Sequence, residues 1–174
     1  MGRSAAASPK RLRPPPPQET PQKLSRGAVR LKQLFTIGYE SKTVDEFLGE
    51  LTSAHIELLI DVRAVAASRR PGFSKTALRN GLAERGIDYL HLRPLGTPAA
   101  GREAARAGRT AEMRAIYAGQ LETPEALLAL EQALDAAGER RAALLCYEKE
   151  APVCHRAMLA ERMLERVPFE VVNL

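Results

Sequence analysis

Short, uninterrupted apolar runs alternate along this chain with stretches whose apolar residues recur three and four positions apart. The runs predict buried strands at residues 34–37, 56–62, 87–92, 142–147 and 169–172. The stretches between them predict helices, three of which start at a capping residue: Thr43, Ser74 and Thr123. Because the strands are apolar throughout and alternate with helices, the pattern predicts an α/β fold. Its form is a single three-layer domain, a mostly parallel sheet flanked by helices.

Two further helices are predicted, over residues 111–121 and from about residue 153 onward, where Leu159 and Met163 share one face. Residues 97–111 are rich in Ala, Gly and Arg, which is typical of a loop or a weak helix. The predicted α/β domain spans residues 31–174.

Residues 1–30 differ in composition from everything that follows. They are rich in Pro, Ala and basic residues, with four prolines in a row at residues 14–17. So few large apolar residues cannot offset the entropy of ordering the segment, which predicts a disordered basic tail. Such a tail is either an arm that contacts polyanions or an extension without a role, and the sequence favours the second interpretation.

Bulk properties place the remaining chain among ordinary globular proteins. No apolar run approaches the ~20 residues of a membrane span, and the basic N-terminus lacks the apolar core of a secretory signal. Two cysteines are too few for a disulfide scaffold, so we expect a cytoplasmic protein with no membrane partner. The glycine patterns that cradle dinucleotides and nucleoside triphosphates are missing from the sequence, and no cofactor is predicted.

Ionisable residues concentrate where the predicted strands end. Parallel strands present their carboxyl ends at one edge of a sheet, and ligands bind there. We therefore predict one site built from several strand ends. The candidate catalytic residues are Asp61, Glu148, Cys154 and His155. The candidate substrate-binding residues are Tyr39, Arg63, Ser68, Arg69, His91 and Arg156.

Several candidates have a plain structural alternative. Asp61 and Arg63 lie two positions apart and could be an acid with an anion clamp, or an ion pair that fixes a loop. Ser68 and Arg69 precede a Pro-Gly turn and a helix start, which suits phosphate or carboxylate but also a solvated loop. His91 is either a general base or a satisfied core residue.

Tyr39 could stack on a ring of the ligand, or simply pack against its neighbours. Glu148, if partly buried, could act as an acid or base, or it could pair with Arg156.

The second cysteine stands beside a histidine and an arginine at a predicted helix start. That setting lowers the pKa of a thiol, so Cys154 is a candidate nucleophile or oxidisable thiolate. The Cys-x5-Arg loop of thiol phosphatases is nevertheless missing, since Pro152 and Ala160 occupy the arginine positions. Cys146 lies in an apolar run and is most simply a small core side chain.

The same residues could also form a metal site. Cys146, Cys154 and His155 would supply three ligands, with Glu148 or His91 as a fourth. The spacing is not the Cys-x2-Cys or His-x3-His of structural zinc sites, so no metal ligand is predicted.

Four separated motifs resemble one known family. TIGYES, LIDVRAVAASRRPGFS, YLHLRPLG and LLCYEKEAPVCHR occur in this order within residues 34–164 and resemble a bacterial domain-of-unknown-function family, number 488. Members usually have a proline soon after the Asp-Val-Arg run, where this chain has Val65. The resemblance implies the fold and the location of the site, and it implies no reaction.

The leading hypothesis is an enzyme that acts on an anionic substrate at the carboxyl ends of the strands. A phosphate-bearing molecule, such as a nucleotide or nucleic-acid component, suits the arginines there. One alternative is a non-catalytic module that binds an anion or senses thiol oxidation. Another is a metal-dependent hydrolase.

Overall fold

The computed structural model describes residues 31–174. The strands are β1 (Lys32–Gly38), β2 (Leu58–Asp61), β3 (Asp88–His91), β4 (Ala142–Cys146) and β5 (Phe169–Asn173). The helices are α1 (Val44–Ser53), α2 (Lys75–Ala83), α3 (Ala99–Arg106), α4 (Thr110–Leu121), α5 (Pro124–Glu139) and α6 (His155–Leu164). Short 3-10 turns occupy Arg93–Leu95 and Ala151–Val153. Each predicted strand and helix is present, and the ambiguous segment 97–111 contains helix α3. The predicted tail, residues 1–30, lies outside the described residues.

All five strands form one sheet in the order β3-β2-β4-β1-β5, and every neighbouring pair runs parallel. Strand β4 is central, and its Leu144 pairs with Thr36 of β1 and Ile60 of β2. The predicted α/β fold with a parallel sheet is therefore confirmed. The parallel arrangement also brings the carboxyl ends of the strands to one edge.

Helices cover both faces of the sheet. Alternate side chains along a strand point to opposite faces, and the core divides accordingly. Phe35 and Leu59 lie in the cluster that contains the buried residues of α1 and α2. Leu34 and Ile60 lie in the cluster that contains buried residues of α3, α4, α5 and α6. Continuous apolar strands are thus explained by burial on both faces.

Side-chain caps fix where several helices begin. Thr43 and Glu46 form a reciprocal capping box at α1. Thr123 caps α5 just before Pro124. Ser74 occupies the capping position of α2 without a side-chain hydrogen bond. At α6 the capping residue is Cys154, whose Sγ accepts from the backbone N–H of Arg156. This last cap places a thiol at the helix end nearest the sheet edge.

Within residues 31–174, no helix combines the length and the apolar character that crossing a bilayer requires.

Candidate functional site

A cleft of about 530 Å³ opens at the carboxyl ends of β1, β2 and β4. This volume lies in the range of small-molecule sites. Cys146, Glu148 and His155 line the cleft beside Tyr39 and Tyr147. The lining also includes Arg102 and Arg106 of α3 and Thr110, the first residue of α4. With Arg63, the cleft therefore combines aromatic surface, three guanidinium groups and a polar floor.

Four side chains with electron-rich donor atoms converge at the floor, and we call Cys146, Glu148, Cys154 and His155 the floor cluster. One ligand atom of each lies within 4.8 Å of the corresponding atom of every other member. The Glu148 Oε2 accepts from the thiols of Cys146 at 2.9 Å and Cys154 at 3.1 Å. The Nδ1 of His155 lies 3.3 Å from the Cys146 Sγ and 3.7 Å from the Cys154 Sγ.

The other ring nitrogen of His155 fixes the orientation of the imidazole. Its Nε2 lies 3.3 Å from the backbone carbonyl of Val62, on the loop after β2. A carbonyl oxygen only accepts, so Nε2 carries a proton and donates it. In the neutral imidazole, Nδ1 then directs a lone pair at the two thiols. The ring of Tyr117 packs edge-on against this imidazole at 5.1 Å.

Burial and mutual contact shift the ionisation of the floor cluster. Burial raises the pKa of the Cys154 thiol, but hydrogen bonds with Cys146 and His155 prevail and lower that pKa to about 6. Burial also dominates at Cys146 and raises its pKa well above the usual range. For His155, burial lowers the pKa, but contact with Cys154 produces a net increase. Burial raises the pKa of Glu148, but hydrogen bonds from both thiols produce a net decrease. Of the two thiols, that of Cys154 is therefore the more readily ionised.

The loop after β4 is held against β1 by Arg156. This arginine is 1% exposed, and its guanidinium donates to the Thr36 hydroxyl and to the backbone carbonyls of Glu148 and Lys149. Gly38 permits the approach, because a Cβ there would lie 1.8 Å from the Glu148 carbonyl oxygen. Together these contacts set the position of the Glu148 side chain.

A second buried network lies beneath the cleft. Asp61 is fully buried, and one of its oxygens accepts from the backbone N–H and Nε of Arg63 at 3.0 and 2.8 Å. The other oxygen accepts from the Arg63 guanidinium at 2.6 Å and the Tyr89 hydroxyl at 2.5 Å. Arg63 also donates to the Tyr39 hydroxyl and the Phe73 carbonyl. Burial lowers the pKa of Arg63, but its bonds to Asp61 produce a net increase.

A comparison with known protein families decides the family. The model for the domain of unknown function DUF488 matches residues 43–163, well over half of the chain. The chain belongs to this family. The match confirms the resemblance that the four sequence motifs carried. A search of the curated proteins found no match, and a search of the solved structures also found none.

Four of the predicted site residues of this DUF488 domain line the cleft: Tyr39, Arg63, Glu148 and His155. The others lie elsewhere. Cys154 is 1% exposed and lies behind Cys146 and Glu148.

Asp61 and Arg156 have buried partners within the protein, so the structure favours a structural role for both. The roles of Asp61 as a catalytic acid and Arg156 as an anion clamp stay predictions, which the geometry does not favour. The reason is that Asp61 has no exposed surface and that the Arg156 guanidinium donates to internal oxygens.

Three other predicted residues lie outside the cleft lining. His91 lines a neighbouring hollow of about 550 Å³, and its Nε2 contacts the Arg63 carbonyl at 2.9 Å. Ser68 accepts from the backbone N–H of Arg70, within its own loop. Arg69 is exposed on the same loop. Their predicted contact with substrate therefore has no support in this geometry.

Four residues of the DUF488 cleft are not among the candidates that the sequence indicates: Arg102, Arg106, Cys146 and Tyr147. The composition of residues 97–111 is typical of a loop or weak helix and gives no reason to select Arg102 and Arg106. Their i, i+4 spacing was an available signal, since it places both guanidinium groups on one face of a helix. The apolar run around Cys146 predicts a core residue, and only the fold shows that its thiol reaches Glu148 and His155.

Proposed function

We propose that this DUF488 domain is an enzyme that hydrolyses a small phosphate-bearing molecule, such as a nucleotide or nucleic-acid component, bound in the cleft. The observation that carries the proposal is the composition of the cleft lining. Arg102 and Arg106 of α3 line the same cleft as the Glu148 carboxylate, the Cys146 thiol and the His155 imidazole. A site of this composition brings an anion and groups capable of proton transfer together.

The two arginines of α3 supply the affinity for the anion. Arg106 is exposed, and Arg102 is half-buried with one bond to the Thr97 carbonyl. Guanidinium groups bind phosphate in a bidentate manner, and each charged hydrogen bond contributes about 1.5–3 kcal/mol. Arg63 lies at the same cleft, but its guanidinium is already bonded to Asp61 and Tyr39. We therefore assign substrate binding to Arg102 and Arg106.

Tyr147 supplies an aromatic wall, and it packs against Tyr39, which is 4% exposed and stacked on Phe73. Their rings meet edge to face, with centroids 5.3 Å apart, and Tyr147 is exposed. An aromatic face of this kind stacks on a nucleobase or sugar without reading its sequence. This wall favours a substrate with a ring in addition to the phosphate.

Glu148 is the general base of the proposed reaction. The carboxylate is half-buried at the cleft, and its lowered pKa keeps it ionised at neutral pH. It takes a proton from a water molecule, whose oxygen forms a bond to the electrophilic atom of the substrate. The bond to the leaving group breaks with its electron pair, and Glu148 returns the proton to the leaving atom.

The test is a turnover screen of the full chain against a panel of nucleotides and phosphate monoesters, with products separated by chromatography. We expect hydrolysis of one class of compound and its loss in Glu148→Gln, by a factor of about 10²–10⁴. Replacing Arg102 and Arg106 by Ala should raise KM about 10-fold or more for each lost charged bond. The matched control is Arg79→Ala, an exposed arginine of α2 outside the cleft lining. Turnover that survives in Glu148→Gln, or equal effects of Arg79→Ala and the α3 variants, would refute the proposal.

A further inference from the structure

The floor cluster has the donor set of a transition-metal site. Cys146, Cys154 and His155 are 3%, 1% and 6% exposed, and they present two sulfur atoms and one nitrogen toward one another. Sulfur and imidazole nitrogen are the ligands that Zn²⁺ prefers in proteins. The three residues come from the end of β4 and the start of α6, so two rigid elements position them.

The distances agree with tetrahedral coordination. With Zn–S and Zn–N bonds of about 2.3 and 2.0 Å, tetrahedral angles place a sulfur and a nitrogen ligand about 3.5 Å apart. The observed separations from the His155 Nδ1 are 3.3 Å to Cys146 Sγ and 3.7 Å to Cys154 Sγ. An ion would therefore require shifts of only a few tenths of an ångström between these pairs.

The hydrogen bond of the second ring nitrogen of His155 is the kind that orients metal-binding imidazoles. A ligating histidine donates its other ring N–H to a carboxylate or backbone carbonyl, which fixes the tautomer and the ring plane. His155 makes that contact through Nε2 to the Val62 carbonyl. This bond lies outside the floor cluster and is an independent sign that Nδ1 faces a ligand.

Glu148 differs from the other members of the floor cluster in its position. It is half-buried, whereas Cys146, Cys154 and His155 are all buried. Catalytic zinc sites have three protein ligands and keep the fourth position open. A carboxylate beside that position suits the base of a hydrolytic zinc site, as in the zinc deaminases.

We propose that Cys146, Cys154 and His155 bind one Zn²⁺ ion whose fourth position faces the cleft beside Glu148. The usual sequence spacings of zinc ligands do not reveal this site, because the two cysteines are separated by a seven-residue loop. That loop folds back onto β1 and brings the cysteines together. The metal-binding part of the proposal stands without the proposed function. The role of the open position rests on the proposed function, because a water molecule bound at that position would be the hydrolytic water beside Glu148.

The test measures metal on the untagged full chain. Elemental analysis of purified protein should find about one Zn²⁺ per chain. Cobalt added to the chelator-treated protein should give the visible absorption of tetrahedral Co²⁺ together with thiolate-to-cobalt charge transfer. Cys154→Ser and Cys146→Ser should lose both signals, while Tyr147→Phe, in the same loop, should keep them.

Glu148→Gln separates a ligand from a neighbouring base. This variant should retain zinc, with an affinity loss of at most about 10–100-fold, as expected for a group outside the ligand sphere. Loss of zinc as complete as in Cys154→Ser would make Glu148 a ligand and overturn the open position.

Circular dichroism of each variant shows whether the chain has folded, and the cobalt titration of the wild-type chain is informative even if a cysteine variant unfolds. A wild-type chain that binds neither Zn²⁺ nor Co²⁺, or a folded Cys154→Ser that keeps its zinc, would overturn the site. A chain that binds zinc but hydrolyses nothing would support the metal site and refute the proposed function alone.

Discussion

Replacing Asp61 by Asn distinguishes a buried ion pair from a catalytic acid. The carboxylate accepts four hydrogen bonds, three from Arg63 and one from Tyr89, and it is fully buried. An amide preserves one oxygen but places a donor group where two donors now converge. It also leaves the Arg63 charge buried without the opposite charge that neutralises it. Breaking a buried pair in this way costs about 3–5 kcal/mol.

The assay is urea unfolding of the full chain, followed by far-ultraviolet circular dichroism. We expect the free energy of unfolding to fall by about 3–5 kcal/mol in Asp61→Asn. Tyr89→Phe removes a single hydroxyl from the same network and should cost about 1–2 kcal/mol. If Asp61→Asn is too unstable to fold, the double variant with Arg63→Met should recover part of the stability, because the unpaired charge is gone.

The opposite result would refute this reasoning. If Asp61→Asn lowers the free energy of unfolding by less than about 1 kcal/mol, the network is not the source of stability argued here. If that same variant also loses turnover on a substrate that the wild-type chain hydrolyses, Asp61 acts in catalysis.

Three further predictions concern the loop after β4 and the metal. Arg156→Met removes the donors to the Glu148 and Lys149 carbonyls, so the free energy of unfolding measured in urea should fall by about 2–4 kcal/mol. A variant that keeps its stability but has a raised KM would instead indicate that Arg156 binds the anion. Gly38→Ala should lower the free energy of unfolding by about 2–4 kcal/mol, because its Cβ would overlap the Glu148 carbonyl. The control is Gly49→Ala on α1, whose Cβ would meet no atom within 4 Å and which should be neutral or stabilising by up to about 1 kcal/mol. Removing zinc with a chelator should lower Tm, and returning free Zn²⁺ at 100 times its Kd should raise the free energy of unfolding by about 2.7 kcal/mol. A Tm unaffected by either step would contradict metal binding by the native state.

The strands and most helices could be predicted because burial on both faces leaves a simple mark in the sequence. Central strands such as β4 contain apolar residues throughout, and Thr43 and Thr123 mark helix starts by their capping chemistry. Helix α3 was ambiguous because its contact with the core uses Gly101 and Ala104, which leave little hydrophobic signal. Small residues pack closely in a way that a periodicity argument does not detect.

The convergence of polar residues at one sheet edge could be predicted, but their individual contacts could not. Parallel strands end at one edge, so Tyr39, Glu148 and His155 meet there as expected. Which side chains face the cleft depends on how the loop after β4 folds back onto β1. That fold turns Arg156 inward and places Cys154 behind Glu148. The sequence spacing of these residues contains no information on this turn.

The cleft itself is tested most directly by diffraction from crystals of the full chain soaked in tungstate, an anomalously scattering analogue of phosphate. The account predicts a peak in the cleft, bonded to the guanidinium groups of Arg102 and Arg106 and facing Glu148. A peak found instead at the amino ends of the strands, beside Lys32 and Arg140, with none in the cleft, would contradict it.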